Sequence, residues 1–253
     1  MKKIFLALVL LILVTHARAA DAEAPEHADR IVRITQYFTR AERAAAGSDG
    51  RSGTGWFCGS SKYLVTIGHM VTKPALPRRE WVEIEISHCS DGTMETLKTH
   101  RVMVRLADLI DTPGEDIAVI ELQKPLFDVK PIPVSKDMPT AKSPSYCSGF
   151  TEGTLRHASG TFHRIGKDED SPELNDFGLF EMYEGNDRLA LDHGASGAPV
   201  LNTKGEVVAV LAIVKTGEVK MINGVEPMRV STSWGTPNQA ATMIPKQLIQ
   251  LSK

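Results

Sequence analysis

Three side chains in this 253-residue chain have the types and the order needed to make a hydroxyl attack an electrophile. Ser196 sits in "DHGASGAPV" (192–200), where flanking glycines allow a tight turn with its hydroxyl displayed. A serine hydroxyl is a poor nucleophile at neutral pH. It needs a base, usually histidine, and the base needs an acceptor that fixes its tautomer and stabilises its charged form. No histidine follows His193 and no aspartate follows Asp192, so both partners must lie upstream. His69 ends the apolar run "YLVTIGH" and Asp116 opens "DIAVIEL", each at a strand end where a side chain can be presented at a sheet rim.

The order His, Asp, Ser excludes an α/β-hydrolase, which places its acid and histidine after the nucleophile. The strict G-x-S-x-G pattern also fails, because Ala198 stands at the last glycine. Gly194 and Gly197 then have a physical task. They permit a strained turn in which the N–H groups of Gly194 and Ser196 aim at a developing oxyanion.

The elements that must position these groups read mostly as strands. In "WVEIEIS" (81–87), Val82, Ile84 and Ile86 alternate with Glu83 and Glu85, the period of a half-buried strand. Similar signals run over 30–38, 62–69, 100–107, 116–122, 145–150, 160–166, 177–183, 197–202 and 206–214, with turn-formers such as "GSDGRSGTG" (47–55) between. The stretch 124–144 carries five prolines and reads as a connection between two halves. Only "IPKQLIQLSK" (244–253) looks helical. Many short strands in two sets, without a strand–helix rhythm, imply an all-β architecture of two barrels.

Three blocks now carry a resemblance. "GTGWFCGSSKYLVTIGHMV" (53–71), "EDIAVIEL" (115–122) and "GASGAPVLNTKGEVVAV" (194–210) resemble the catalytic blocks of trypsin-like serine peptidases, in particular the bacterial HtrA-type and glutamyl-endopeptidase-like branch. The tail "ATMIPKQLI" (241–249) is similar to the close of HtrA-type protease domains, and no PDZ-like extension is expected after it. The resemblance implies two six-stranded antiparallel β-barrels of the chymotrypsin-like kind, a short C-terminal helix and an active site in the cleft between barrels. It assigns His69 as general base, Asp116 as its orienter, Ser196 as nucleophile, and the Gly194 and Ser196 amides as the oxyanion hole. Position 190, which holds the acid for basic substrates in trypsin, is Ala190 here, so no preference for Lys or Arg is expected. His193 lies near the mouth of the implied specificity pocket, and Ala212 belongs to a run expected to form another wall. Ala195 replaces the aspartate that trypsins pair with a freed N-terminus, so "DRIVRI" (29–34) reads as a first strand and not as an activation site.

Composition sets the frame. With 42% hydrophobic and 24% charged residues the chain can bury a core, which excludes a disordered or fibrous protein. "MKK", an 11-residue apolar run and Ala17-Arg18-Ala19 read as a signal peptide, too short to span a bilayer. Loss of residues 1–19 removes Lys2, Lys3 and Arg18, which takes the net charge from −2 to −5. No long basic run survives, so neither nucleic acid nor a membrane surface is an expected partner. Of the three cysteines, Cys58 and Cys89 are the expected disulfide pair for an oxidising compartment, leaving Cys147. No cofactor or metal is expected, and His157 and His163 are read as structural.

The domains expected are a signal peptide at 1–19, a short N-terminal segment or propeptide at 20–29, barrels at 30–124 and 144–253, and a Pro-rich linker at 125–143. The whole reads as an exported, periplasmic or secreted serine endopeptidase acting on a protein or peptide, with a non-cleaving binding protein on the same scaffold as the alternative.

Overall fold

Alternating burial organises the chain into two antiparallel sheets. A computed structural model describes residues 27–72, 81–89, 97–105, 110–112, 116–166, 177–183, 191–214, 239–244 and 246–253. The first sheet comprises β1 (Ile31–Tyr37), β2 (Gly50–Phe57), β3 (Tyr63–Ile67), β4 (Trp81–Cys89), β5 (Leu97–Arg105), β6 (Ile110–Thr112) and β7 (Ile117–Glu121), in the order β5-β4-β1-β2-β3-β7-β6. The second comprises β8 (Pro144–Thr151), β9 (Thr154–Gly166), β10 (Phe177–Tyr183), β11 (Pro199–Leu201), β12 (Val207–Val214) and β13 (Gln239–Met243). It closes as a six-stranded barrel in the order β10-β13-β12-β11-β8-β9.

The two-sheet, all-β architecture matches the sequence reading. The first sheet differs in detail: it holds seven strands, because Ile110–Thr112 folds back on β7 with Thr112 opposite Ile117. In β4 the period-2 pattern is realised. Val82, Ile84 and Ile86 are fully buried, while Arg101 on β5 faces Glu83 and Glu85 at 3.9 and 3.3 Å on the outer side.

Strand β2 departs from the expectation that residues 47–55 are turn-formers. Its glycines serve close approach instead. A Cβ on Gly53 would lie 2.7 Å from Met70 Cγ, and one on Gly55 would lie 2.5 Å from Ile34 Cδ1. Two short helices also went unforeseen: α1 (Arg40–Ala46), begun by a Thr39–Glu42 capping box, and α2 (Gly68–Thr72) directly after β3.

The expected Cys58–Cys89 disulfide does not form. Among the described residues, Cys58 and Cys147 are both free thiols. The sheet order gives the reason. Cys58 follows the end of β2, Cys89 ends β4, and β1 lies between those strands, so at least two strand spacings, roughly 10 Å, separate them, against the 4–7 Å that a disulfide spans.

The Pro-rich connection binds both halves. Ile132 N–H donates to Phe57 O at 2.8 Å, while Ser135 N–H donates to Val207 O and Val207 N–H to Pro133 O at 2.9 and 2.8 Å. The last helix, α3 (Lys246–Leu251), returns to the first half. It buries Leu248 in that core and accepts the Cys58 thiol at Leu248 O, 3.6 Å away. Among the described residues no helix is long and apolar enough to cross a membrane.

Candidate active site

Strand register brings His69 and Asp116 together. β3 and β7 pair antiparallel with Ile67 opposite Ile117, so the residues just past β3 meet the residue just before β7. Gly68 N–H donates to Asp116 O at 2.7 Å, and His69 N–H donates to Asp116 Oδ1 at 2.7 Å. Asp116 Oδ2 then lies 2.6 Å from His69 Nδ1. The carboxylate demands a proton on Nδ1, which leaves Nε2 free to accept one. Asp116 has φ +52°, a region aspartate tolerates better than most residues. Gly68 is required here, since a Cβ would sit 2.9 Å from Asp116 Oδ1.

Ser196 comes from the other sheet, in the turn that precedes β11. Its carbonyl accepts Thr54 N–H at 2.8 Å, and a Cβ on Gly53 would lie 3.1 Å from that same oxygen. Gly53 is thus wedged between Ser196 and Met70, the neighbour of His69. The Ser196 hydroxyl donates to Ala212 O on β12 at 3.2 Å.

The turn holds two amides in a definite direction. Glu152 N–H, from the tight turn between β8 and β9, donates to His193 O at 2.9 Å. Because the peptide is planar and trans, that bond turns Gly194 N–H the opposite way. Gly194 has φ +99°, and a Cβ there would meet Phe150 O at 2.5 Å. Among the described residues, neither Gly194 N–H nor Ser196 N–H has an acceptor. Ala195 is fully buried in the second core beside Leu191 and Ala198, a setting hostile to the charged residue trypsins place there.

Of the residues expected to meet substrate, His193 is exposed and Ala212 is buried, while Ala190 lies outside the described residues. Two neighbours escaped the sequence reading. Arg51 donates from Nη1 to His69 O at 2.9 Å with its guanidinium over the Phe38 ring, bracing α2. Thr54 is the other, and its only sequence signal was the "GTG" in which it sits. The free thiols are not rival nucleophiles, since burial pushes Cys58 up to about 12 and raises Cys147 as well. Among the described residues no cluster of three metal-ligating side chains occurs.

The fold and this geometry define a class. The trypsin-like peptidase domain matches residues 53–210, more than half of the chain, and the chain belongs to that family. Solved structures agree on the fold. The chain is similar to the Rv3671c protease of M. tuberculosis in its active form, with a TM-score of 0.56 and 12% identity, over 88% of this chain and 79% of that one. It is also similar to a serine endoprotease of Yersinia pestis (TM-score 0.52, 14% identity, 88% and 64% covered). The HtrA-type protease AlgW, solved with a tripeptide, gives a TM-score of 0.57 at 12% identity, and the match spans 88% of this chain and 58% of AlgW. No curated protein sequence matches significantly.

Proposed function

We propose that the chain is an exported serine endopeptidase that hydrolyses peptide bonds through an acyl-enzyme. The observation that carries this reading is the doubly held His69–Asp116 pair beside a serine turn with two uncommitted amides. His69 Nε2 takes the Ser196 proton as Oγ attacks the peptide carbonyl. Gly194 and Ser196 N–H groups receive the oxyanion, and His69 passes the proton to the leaving amine as the C–N bond breaks. Water then enters by the same proton route and frees the acid. Asp116 holds the imidazole throughout and stabilises its charged form.

We assign His193 and Ala212 to the substrate side, with a modest apolar side chain preferred at the cleaved residue. The apolar N-terminal run supports export, with residues 1–19 removed.

A fluorophosphonate probe tests the reading. Covalent labelling at Ser196, lost in His69→Ala, together with casein cleavage lost in Ser196→Ala, is the expected result. An intact, folded protein that neither labels nor cleaves sinks it and favours a binding role.

A further inference from the structure

The nucleophile and both oxyanion amides belong to the second barrel, whereas the base and its orienter belong to the first. One side chain joins the two sets. Thr54, on β2 of the first sheet, is fully buried. Its N–H donates to Ser196 O at 2.8 Å. Its Oγ1 donates to Gly194 O at 2.9 Å and accepts Phe150 N–H at 2.9 Å. Its carbonyl accepts the buried Thr66 hydroxyl at 2.7 Å, three residues before His69.

We propose that Thr54 is a positioning residue for the oxyanion hole, a strut that fixes the serine turn against the strand leading to His69. This rests on the peptidase reading and names a residue through which that site is held in shape. Gly194 is pinned from both sides. Glu152 N–H holds the preceding carbonyl, at His193, and the Thr54 hydroxyl holds the following one, its own. With both flanking peptide planes tied, the Gly194 N–H keeps one direction despite the freedom of a glycine backbone.

The hydroxyl acts at once as donor to Gly194 O and acceptor from Phe150 N–H, two roles that an aliphatic side chain cannot fill. Valine has the same shape but would leave Phe150 N–H and Gly194 O buried and unpaired. Serine would keep both bonds. Oxyanion stabilisation depends on sub-ångström donor placement, so the loss should appear in the transition state and not in ground-state binding.

The test compares Thr54→Val with Thr54→Ser, each normalised by active-site titration with a fluorophosphonate and checked for folding by circular dichroism. Thr54→Val should lower kcat about 10- to 100-fold with KM nearly unchanged. A peptidyl aldehyde, which forms an oxyanion on Ser196, should bind more weakly by a similar factor. The pH profile should keep its shape, because His69 and Asp116 are untouched, and Thr54→Ser should stay within about threefold of the parent.

Equal kcat in the two variants would overturn the proposal, as would a loss carried by KM alone. If Thr54→Val does not fold, a kcat for Thr54→Ser at the level of the parent supports the strut, and a collapse of kcat in that variant overturns it. A parent protein that neither labels nor cleaves would overturn the peptidase reading itself, and this role with it.

Discussion

The Asp116 carboxylate holds His69 at two atoms, with Oδ1 on its backbone N–H at 2.7 Å and Oδ2 at its ring Nδ1 at 2.6 Å. One side chain therefore sets both the position and the tautomer of the imidazole. Asp116→Asn keeps the size of this group but offers an amide to Nδ1. We expect a folded protein whose kcat on a peptide substrate drops about ten-thousand-fold. Steady-state kinetics beside a thermal melt would show it, and a loss below tenfold would refute the orienting role.

Gly197 tests the backbone of the serine turn. Its φ is +92°, and a Cβ would fall 2.1 Å from Thr54 O and 2.6 Å from Thr66 Oγ1. Gly197→Ala should cost about 2 kcal/mol or more in urea unfolding and abolish labelling of Ser196. Unchanged stability would mean the turn has room that its geometry denies.

Cys58 gives a stability prediction with a defined sign. Burial raises its thiol from the ordinary 9.0 to about 12, so folding disfavours the thiolate. The unfolded chain deprotonates first. Stability from this group is complete below pH 9 and drains away between about 9 and 12. In the native protein at pH 8, iodoacetamide should leave Cys58 and Cys147 unmodified until urea is added, as read by mass spectrometry. A reductant should not move the melting temperature, since no disulfide joins them.

The C-terminal helix is anchored by Leu248, buried in the core of the first sheet. Leu248→Ala should destabilise the protein by about 2–4 kcal/mol through the cavity it opens. Denaturant unfolding would measure it. A change under about 0.5 kcal/mol would show that α3 is dispensable for that core.

Much of this was legible in the sequence because the signals were local. Alternation in Trp81–Cys89 needs only neighbouring residues, and so does the apolar run that ends at His69. The candidate triad could be ordered by elimination, since no later histidine or aspartate existed to serve Ser196. Strand β2 was misread as turn because its glycines answer to Met70, Ile34 and Ser196, residues far away in sequence. The disulfide expectation failed for a related reason. Cys58 follows the end of β2 and Cys89 ends β4 of the same sheet, but the order of strands puts β1 between them. Thr54 was invisible as a functional residue because its partner Gly194 is 140 positions on.

That same long reach between Thr54 and Gly194 has a consequence for the life history of the molecule. The machinery proposed here is split between an early and a late segment, and it exists only after the second barrel has closed on the first. A nascent chain, or either half alone, carries His69 without its serine or the serine without its base. On the proposed reading, completion of the tertiary structure is therefore the step that assembles the site.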